Sequence, residues 1–187
     1  MRIIAGQWRG RALLAPPGDL TRPTSDRARE GLFSMLASRL GSFEGLRVAD
    51  LFAGTGALGL EALSRGAAHC TFIERERTAL AAIERNIAAL GAQARSEVRA
   101  GAVERAGSPG EPFDLILMDP PYGQGLEQIA LERVERDSWL AEGGWVSIEK
   151  GPEPLRIPEG LEIEAERRFG KARLLLLRRP AGSAKPG

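Results

Sequence analysis

With 187 residues, 43% of them hydrophobic, the chain is long enough for one domain with a full core, and it needs no second large domain. Its 26 basic and 25 acidic residues give a net charge of +1, which indicates no particular partner, and no apolar run approaches the roughly 18 residues of a membrane span. One cysteine and one histidine exclude a disulfide framework and a zinc site, so we expect a soluble cytoplasmic protein without membrane or metal.

The N-terminal end carries the strongest local charge, because the first 29 residues hold six arginines and only two aspartates. These arginines are Arg2, Arg9, Arg11, Arg22, Arg27 and Arg29. We interpret residues 1–23 as a basic extension in which residues 3–5 and 12–15 form a β-hairpin. Such an end on a neutral body suggests a surface for a polyanion, although a solvated arginine-rich surface is an equal alternative. Trp8 is open to two interpretations, stacking on a base or anchoring the hairpin in the core.

A helix follows, for which residues 24–26 offer capping oxygens and which runs to Leu40. Apolar residues at helical spacing give it a buried face, namely Leu32, Phe33, Leu36 and Leu40. Three arginines lie at the start of this helix and share its surroundings, namely Arg22, Arg27 and Arg29.

The stretch VADLFAGTGALGLEAL predicts a strand over residues 48–52, a glycine turn at residues 54–56 and a helix over residues 58–65. Glycines let the backbone come close to a ligand, and the start of the helix presents free N–H groups. A second strand ends at Glu74, where an acid can accept hydrogen bonds from ribose hydroxyls. The pattern indicates a nucleoside-bearing ligand, with ordinary surface acids as the alternative.

Asp50 distinguishes among the possible ligands. Glycines at 54, 56 and 59 satisfy the nicotinamide fingerprint, but an acid inside the preceding strand is unusual for it, and the phosphate loop GxxxxGK[ST] is absent. An acid four residues before the first glycine suits a cationic group, such as the amino group of S-adenosylmethionine.

The rest of the chain continues the alternation of strand and helix and ends in a hairpin. Helices are predicted over residues 80–90 and 126–134, with a weak helix near Val103. Strands are predicted over residues 97–100, 115–118 and 145–148, and the hairpin over 163–169 and 172–177. Alternating β and α elements with a final hairpin match a parallel sheet with an antiparallel end. Residues 181–187 look like a disordered tail.

The stretch DLILMDPPY, residues 114–122, ends a doubly buried strand in an acid, two prolines and an aromatic. Prolines cannot continue a ladder, so the chain leaves the sheet at Pro120 with a stiff backbone. Ligands bind outside the carboxyl ends of strands in open α/β sheets, which places Asp119 at a site. A rigid turn without chemistry is the alternative.

With DLFAGTGALG and DPPY together, the chain resembles the class I S-adenosylmethionine-dependent methyltransferases that modify exocyclic amines. The further motifs RIIAGQWRGR, RPTSDRARE and LFAGTGALGLEALSRGA look like the bacterial 16S ribosomal RNA guanine-N2 methyltransferases, the small-subunit methyltransferase D family. The resemblance implies a Rossmann-like, seven-stranded, mostly parallel sheet with the last strand antiparallel and helices on both faces. Residues 24–180 would form this domain, after the N-terminal β-hairpin extension.

The resemblance also implies site residues. For the cofactor S-adenosylmethionine these are Asp50, Phe52, Gly54 and Gly56 around the methionine part, Glu74 at the ribose and the Ala102 backbone N–H at adenine. For catalysis they are Asp119 and Pro120, which accept the amine hydrogens, and Tyr122, which stacks on the target base. RNA contacts are expected from Arg2, Trp8, Arg9, Arg11, Arg22 and Arg27. The implied partner is 16S rRNA or the small ribosomal subunit, bound by a monomer.

Three competing functions share part of these motifs. DNA adenine-N6 or cytosine-N4 methyltransferases usually carry a sizeable target-recognition region, for which this chain has no room. Protein glutamine methyltransferases typically begin the amine motif with Asn, where this chain has Asp119. An inactive RNA-binding module is the third alternative.

Overall fold

Seven strands and four helices make up the part of the chain that the computed structural model describes, residues 1–17 and 26–182. The strands are β1 (Arg47–Asp50), β2 (His69–Glu74), β3 (Ser96–Ala100), β4 (Phe113–Met118), β5 (Leu140–Lys150), β6 (Glu162–Phe169) and β7 (Ala172–Arg178). The helices are α1 (Asp26–Leu40), α2 (Ala57–Ser64), α3 (Arg77–Leu90) and α4 (Leu126–Arg136). The weak helix predicted near Val103 is a short 3-10 helix, Val103–Arg105.

All seven strands form one sheet in the order β3-β2-β1-β4-β5-β7-β6. Strands β1 to β5 pair in parallel, while β7 is antiparallel to both of its neighbours, β5 and β6. The predicted fold class, a mostly parallel Rossmann-like sheet with the last strand antiparallel, is therefore confirmed. The chain passes from β1 outward to β3 and then back to β4 on the other side of β1, so the chain direction reverses between β1 and β4. Crevices for ligands form at the carboxyl ends of strands at such a reversal.

Two hydrophobic clusters sandwich the sheet, and β4 supplies both. Leu115 and Leu117 belong to the cluster that also contains the apolar faces of α1, α2 and α3. Ile116 and Met118 belong to the other cluster, which contains α4. A strand that is buried on both faces has a continuous apolar sequence. Strand β4 could therefore be predicted although its polar and apolar residues do not alternate.

The N-terminal segment, residues 1–17, pairs with itself as predicted, over a short length. An antiparallel bridge joins Arg2 and Ala12, the Ile3 N–H donates to the Arg11 carbonyl at 2.9 Å, and the Gly10 N–H donates to the Ile3 carbonyl at 2.8 Å. The segment also bonds to α2: Glu61, fully buried, accepts from the N–H groups of Ile4 and Ala5 at 2.9 and 3.0 Å. Covered by this segment on its outer side and by the sheet on its inner side, α2 is buried at every residue.

Strand β5 is longer than predicted, because it begins at Leu140 and the apolar pattern shows only its last half. Glu142, Gly143 and Gly144 interrupt that pattern, and the register shifts between the Phe113 and Leu115 pairings where they lie. Three predictions fall outside the described residues: the contact of Arg22, the capping oxygens of residues 24 and 25, and most of the tail.

Among the described residues, no helix is long and apolar enough to cross a membrane. The same part of the chain contains no cluster of three or more histidine, cysteine or acidic side chains that could hold a metal ion.

Candidate active site

A cavity of about 730 Å³ lies at the carboxyl ends of the central strands, at the point where the chain direction across the sheet reverses. It is lined by the turns after β1, β3 and β4 and by the end of β2. The predicted site residues that line it are Asp50, Phe52, Gly54, Glu74, Ala102, Asp119, Pro120 and Tyr122. The chain thus brings the predicted cofactor residues and the predicted amine residues to one cavity, with the exception of Gly56.

The three glycines in the turn and at the start of α2 serve different structural purposes. Gly54 and Gly56 have φ of +55° and +82°, a backbone region that side chains disfavour, so they allow the tight turn. Gly56 lies behind the cavity wall, where an added Cβ would be 3.3 Å from Leu60. Gly59 serves packing, because an added Cβ would be 2.4 Å from the Phe72 ring and 2.6 Å from the Cys70 sulfur. This close contact lets α2 lie directly on β2.

Asp50 is a buried acid in which one carboxylate oxygen is hydrogen-bonded and the other has no partner among the described residues. Its Oδ2 accepts from the Gly59 N–H at 3.0 Å, while its Oδ1 has no hydrogen-bond partner among the described residues. Burial raises the pKa of Asp50 to about 7, the Gly59 N–H opposes that rise, and the charge of Glu74 adds to it. A cationic group in the cavity would offset the cost of ionising this carboxylate.

Glu74 ties the end of β2 to the glycine turn. Its Oε2 accepts from the Gly54 N–H at 2.7 Å, and its Oε1 accepts from the N–H groups of Arg75 and Glu76 at 2.8 and 2.9 Å. A carboxylate offers about four acceptor positions, so one remains for a ligand. The predicted ribose acceptor therefore also holds the turn in place.

The amine side of the cavity contains a residue that the sequence reasoning missed. Tyr122 is 40% exposed, and its hydroxyl donates to Glu149 Oε1 at 2.6 Å. Glu149 is 8% exposed and also lines the cavity. It follows Ile148, which pairs with Met118, so Glu149 and Asp119 follow paired residues of adjacent strands. The signal for Glu149 was available, since it is an acid after an apolar run, as are Glu74 and Asp119.

Comparisons with known proteins show the family of this chain. The family model described as Conserved hypothetical protein 95 matches residues 1–178. Ribosomal RNA small subunit methyltransferase D of Escherichia coli strain K12 is 37% identical over 97% of this chain and 91% of its own. Putative rRNA methyltransferase YlbH of Bacillus subtilis is 36% identical over 85% of this chain and 86% of its own. The chain belongs to the small-subunit methyltransferase D family.

A solved structure leads to the same family. Putative methyltransferase yhhF from Escherichia coli superposes with a TM-score of 0.85 at 37% identity, covering 97% of this chain and 98% of that one. The resemblance drawn from the sequence motifs is thereby confirmed, and the match includes the N-terminal segment as well as the sheet.

In this member of the methyltransferase D family, the N-terminal segment forms part of the cavity wall through Met1 and residues 15–17. Asn86 of α3 holds the segment there, because its Oδ1 accepts from the Leu14 N–H at 2.8 Å and its Nδ2 donates to the carbonyl of Leu14 at 3.0 Å. The same Nδ2 donates to the carbonyl of Thr55 at 2.9 Å. One buried amide thus joins the segment to the glycine turn. A polar residue on the buried face of α3 was the available signal.

The assignment of Trp8 to RNA binding is corrected by the structure. Its side chain is 9% exposed in the core, its backbone N–H donates to the Ser64 hydroxyl at 3.1 Å, and the Arg95 guanidinium lies 5.1 Å from its ring centroid. Trp8 is the core anchor of the segment, the second of its two predicted roles, because the apolar ring is worth more buried than exposed.

The arginines of the N-terminal region separate into two groups. Arg2, Arg9, Arg11 and Arg27 are exposed, but Arg2 donates to the Gly10 carbonyl and Arg11 to the Ala89 carbonyl, each at 2.7 Å. Arg29 is fully buried; it pairs with Asp26 at 2.7 Å, donates to the Arg2 carbonyl and lines the cavity. None of the four exposed arginines lines the cavity.

Proposed function

We propose that this protein transfers a methyl group from S-adenosylmethionine to the exocyclic N2 amine of a guanine in 16S ribosomal RNA. One observation carries the proposal. Asp50 and Glu74, the acids at the ends of β1 and β2, line the same cavity as the DPPY turn that follows β4. The relative from Escherichia coli that is named for the small ribosomal subunit supports this class of substrate. We expect the protein to act as a monomer in the cytoplasm on 16S rRNA or on the small subunit.

The residues of the cavity fit the cofactor. Asp50 Oδ1, which lacks a partner among the described residues, would accept from the amino group of the methionine part. Glu74 would accept from the ribose hydroxyls, and the Ala102 backbone N–H would donate to adenine. Phe52 and the glycine turn would lie along the methionine part. When bound, the cofactor supplies an electrophilic methyl group on its sulfonium.

The amine side works mainly by orientation. The N2 amine of guanine is a poor nucleophile because its lone pair is delocalised into the ring. The Asp119 carboxylate and the Pro120 carbonyl accept its two hydrogens and direct the lone pair toward the methyl group, so that proximity and alignment supply much of the acceleration. Asp119 also favours the positive charge that develops on nitrogen. The methylated nitrogen is strongly acidic and loses its proton easily, so Asp119 need not act as a general base.

Tyr122 stacks on the target base, which must leave its own stack to reach the cavity. The hydrogen bond to Glu149 fixes the plane of the Tyr122 ring before the base arrives. Glu149 therefore acts as a positioning residue. Arg2, Arg9, Arg11 and Arg27 are proposed to contact RNA phosphates, which position the substrate without reading its sequence.

One experiment tests the reaction and separates it from its rivals. The protein is incubated with labelled cofactor and with naked 16S RNA, assembled small subunits, DNA or protein, and the modified nucleoside is identified. The expected product is N2-methylguanosine from ribosomal RNA. N6-methyladenine or N4-methylcytosine from DNA would instead establish the DNA enzyme, and cofactor binding without any transfer would establish a non-catalytic module.

A further inference from the structure

The tip of the C-terminal hairpin carries a row of cations that has no acidic counterpart. Lys150 of β5 lies opposite Arg173 of β7, and Arg173 lies opposite Arg168 of β6. Residues directly opposite one another on antiparallel strands project from the same face with Cβ atoms about 5 Å apart. None of the three forms an ion pair with any residue that the structure describes. We refer to Lys150, Arg173 and Arg168 as the cation row.

Like charges directly opposite each other destabilise a sheet, so the cation row costs the fold stability. At the other end of the same hairpin, residues of opposite charge face each other. There Arg178 lies opposite Glu162, and its guanidinium lies 5.4 Å from the ring centroid of Trp145. The two ends of one hairpin thus differ in register: a base faces an acid at one end, and bases face one another at the other.

The end at which bases face one another lies at the same edge of the sheet as the cavity. Strand β7 is antiparallel to both neighbours, so β6 runs in the direction of β5 and the carboxyl ends of both strands share that edge. Along β6 the acids come first, at Glu162, Glu164 and Glu166, and the basic residues Arg167 and Arg168 come last. This polarity directs a polyanion toward the cavity edge and away from the opposite one.

The cation row begins at the strand end that carries Glu149, on the other face of the sheet. Lys150 directly follows Glu149, the cavity residue that holds Tyr122, and successive strand residues project from opposite faces. From Lys150 the row crosses two interstrand spacings, a length of about 10 Å. Lys171, exposed in the hairpin turn, adds a fourth positive charge at its outer end.

The hairpin tip is also held in position. Phe169 packs on α1 so closely that a Cβ at Gly31 would be 2.3 Å from its ring. Phe169 and Arg168 are successive residues of β6, so α1 covers one face of the hairpin tip and the cation row projects from the other. A rigid platform loses little conformational freedom on binding, which favours its use as a docking surface.

We propose that the cation row, together with Lys171, binds the phosphate backbone of the RNA strand that carries the target base. The proposal rests on the function proposed above and adds a second RNA contact, separate from the N-terminal arginines. The row holds the strand at the edge of the sheet that carries the cavity, so that a base leaving its stack reaches Tyr122 across that edge. Because it contacts phosphates, it contributes affinity and salt dependence and leaves sequence preference to other contacts.

The test compares two double variants that remove equal charge. Arg168→Gln with Arg173→Gln neutralises the row, while Arg85→Gln with Arg136→Gln removes two exposed charges from α3 and α4. We measure kcat and KM for 16S RNA at several salt concentrations, and cofactor affinity separately. The row variant is expected to raise KM about tenfold. Its KM should also depend less steeply on salt concentration, because each lost phosphate contact reduces the change in KM across the salt range by about threefold. Its kcat and cofactor affinity stay at the wild-type level, as does the KM of the control variant.

Two further measurements keep the result interpretable. The row variant is expected to have an unfolding temperature no lower than wild type, since it loses a repulsion, so a weak KM cannot be ascribed to misfolding. Arg168→Lys with Arg173→Lys keeps both charges and is expected to restore the salt dependence.

Several outcomes would overturn the proposal. Equal KM and salt dependence for the row and control variants would show that bulk charge alone matters. A defect on assembled subunits with an unchanged salt slope on naked RNA would identify a protein partner instead. If the wild-type protein methylates no ribosomal RNA, the proposed function fails, and direct RNA binding measured by fluorescence anisotropy still decides between the two variants.

Discussion

The two sides of the cavity are built differently. On the cofactor side, side-chain carboxylates are held by backbone N–H groups, since Asp50 accepts from Gly59 and Glu74 accepts from Gly54. On the amine side, the exposed ring of Tyr122 is held by another side chain, Glu149. Backbone contacts between packed elements leave less freedom than a hydrogen bond between two side chains at a cavity rim. The proposed cofactor side is thus held more rigidly than the proposed amine side.

The largest expected effect separates the two sides. Asp119→Ala should lower methyl transfer at least about 100-fold, because it removes an acceptor for the developing charge, and it should leave cofactor affinity intact. Single-turnover transfer and equilibrium cofactor binding measure the two effects. Glu111→Gln, an exposed acid near the start of β4, is the control and should behave as wild type in both. Wild-type turnover in Asp119→Ala would refute the role of that carboxylate.

The rigidity of the cofactor side can be tested through Gly59. Gly59→Ala places a methyl group against the Phe72 ring and the Cys70 sulfur, and overpacking of this kind costs about 1–3 kcal/mol of unfolding free energy. Urea denaturation measures the loss, and cofactor affinity should fall because Asp50 depends on the Gly59 N–H. Gly107→Ala meets no atom within 4 Å and should be neutral. Equal stability of the two variants would show that the contact between α2 and β2 yields easily.

The charge of Asp50 predicts a pH dependence of cofactor binding. Its pKa is raised to about 7 by burial, so in the free protein it is protonated below that pH and must lose its proton to meet a cationic amino group. Cofactor affinity should therefore fall about fivefold from pH 7 to pH 6, and Asp50→Asn should flatten the profile. Calorimetry in buffers of different ionisation enthalpy measures the proton released. An affinity independent of pH in the wild-type protein would refute the pairing.

The same shift has a consequence for stability with the opposite sign. Because the folded-state pKa of Asp50 lies above its ordinary value of 3.8, the folded protein binds more protons than the unfolded chain between about pH 4 and pH 7. The contribution of Asp50 to stability is therefore present below that window and lost as the pH rises through it.

The smallest effect is expected for the side-chain pair on the amine side. Tyr122→Phe and Glu149→Gln should each raise KM for RNA about fivefold, as expected for the loss or weakening of one hydrogen bond. Cofactor affinity should not change. If Glu149 acts through Tyr122, the double variant should be no worse than the worse single variant. Additive effects would instead mean that Glu149 contacts the substrate itself.

Particular residues show how much of the structure local sequence patterns can predict. Asp119 was recognisable because a doubly buried strand ends in prolines, and both features are local. Asn86 was not assigned, because its partners Leu14 and Thr55 lie 72 and 31 residues away along the chain. Trp8 was left between two roles, since its burial depends on α2, which the N-terminal pattern does not contain. The N-terminal hairpin was predicted, but its contacts with Glu61 and Ser64 of α2 were not, because those residues lie 56 or 57 residues away along the chain.

The sequence by itself determined the order of elements and the acids that end the strands, Asp50, Glu74 and Asp119, because apolar runs and breakers act over a few residues. It also determined the family, through motifs that keep their order. Only the tertiary structure decided which basic side chains have a hydrogen-bond partner within the protein. Arg2, Arg11 and Arg29 bond to carbonyls of the protein itself, whereas Lys150, Arg173 and Arg168 are set side by side by strand register. Register joins residues far apart in the chain, and composition does not record it.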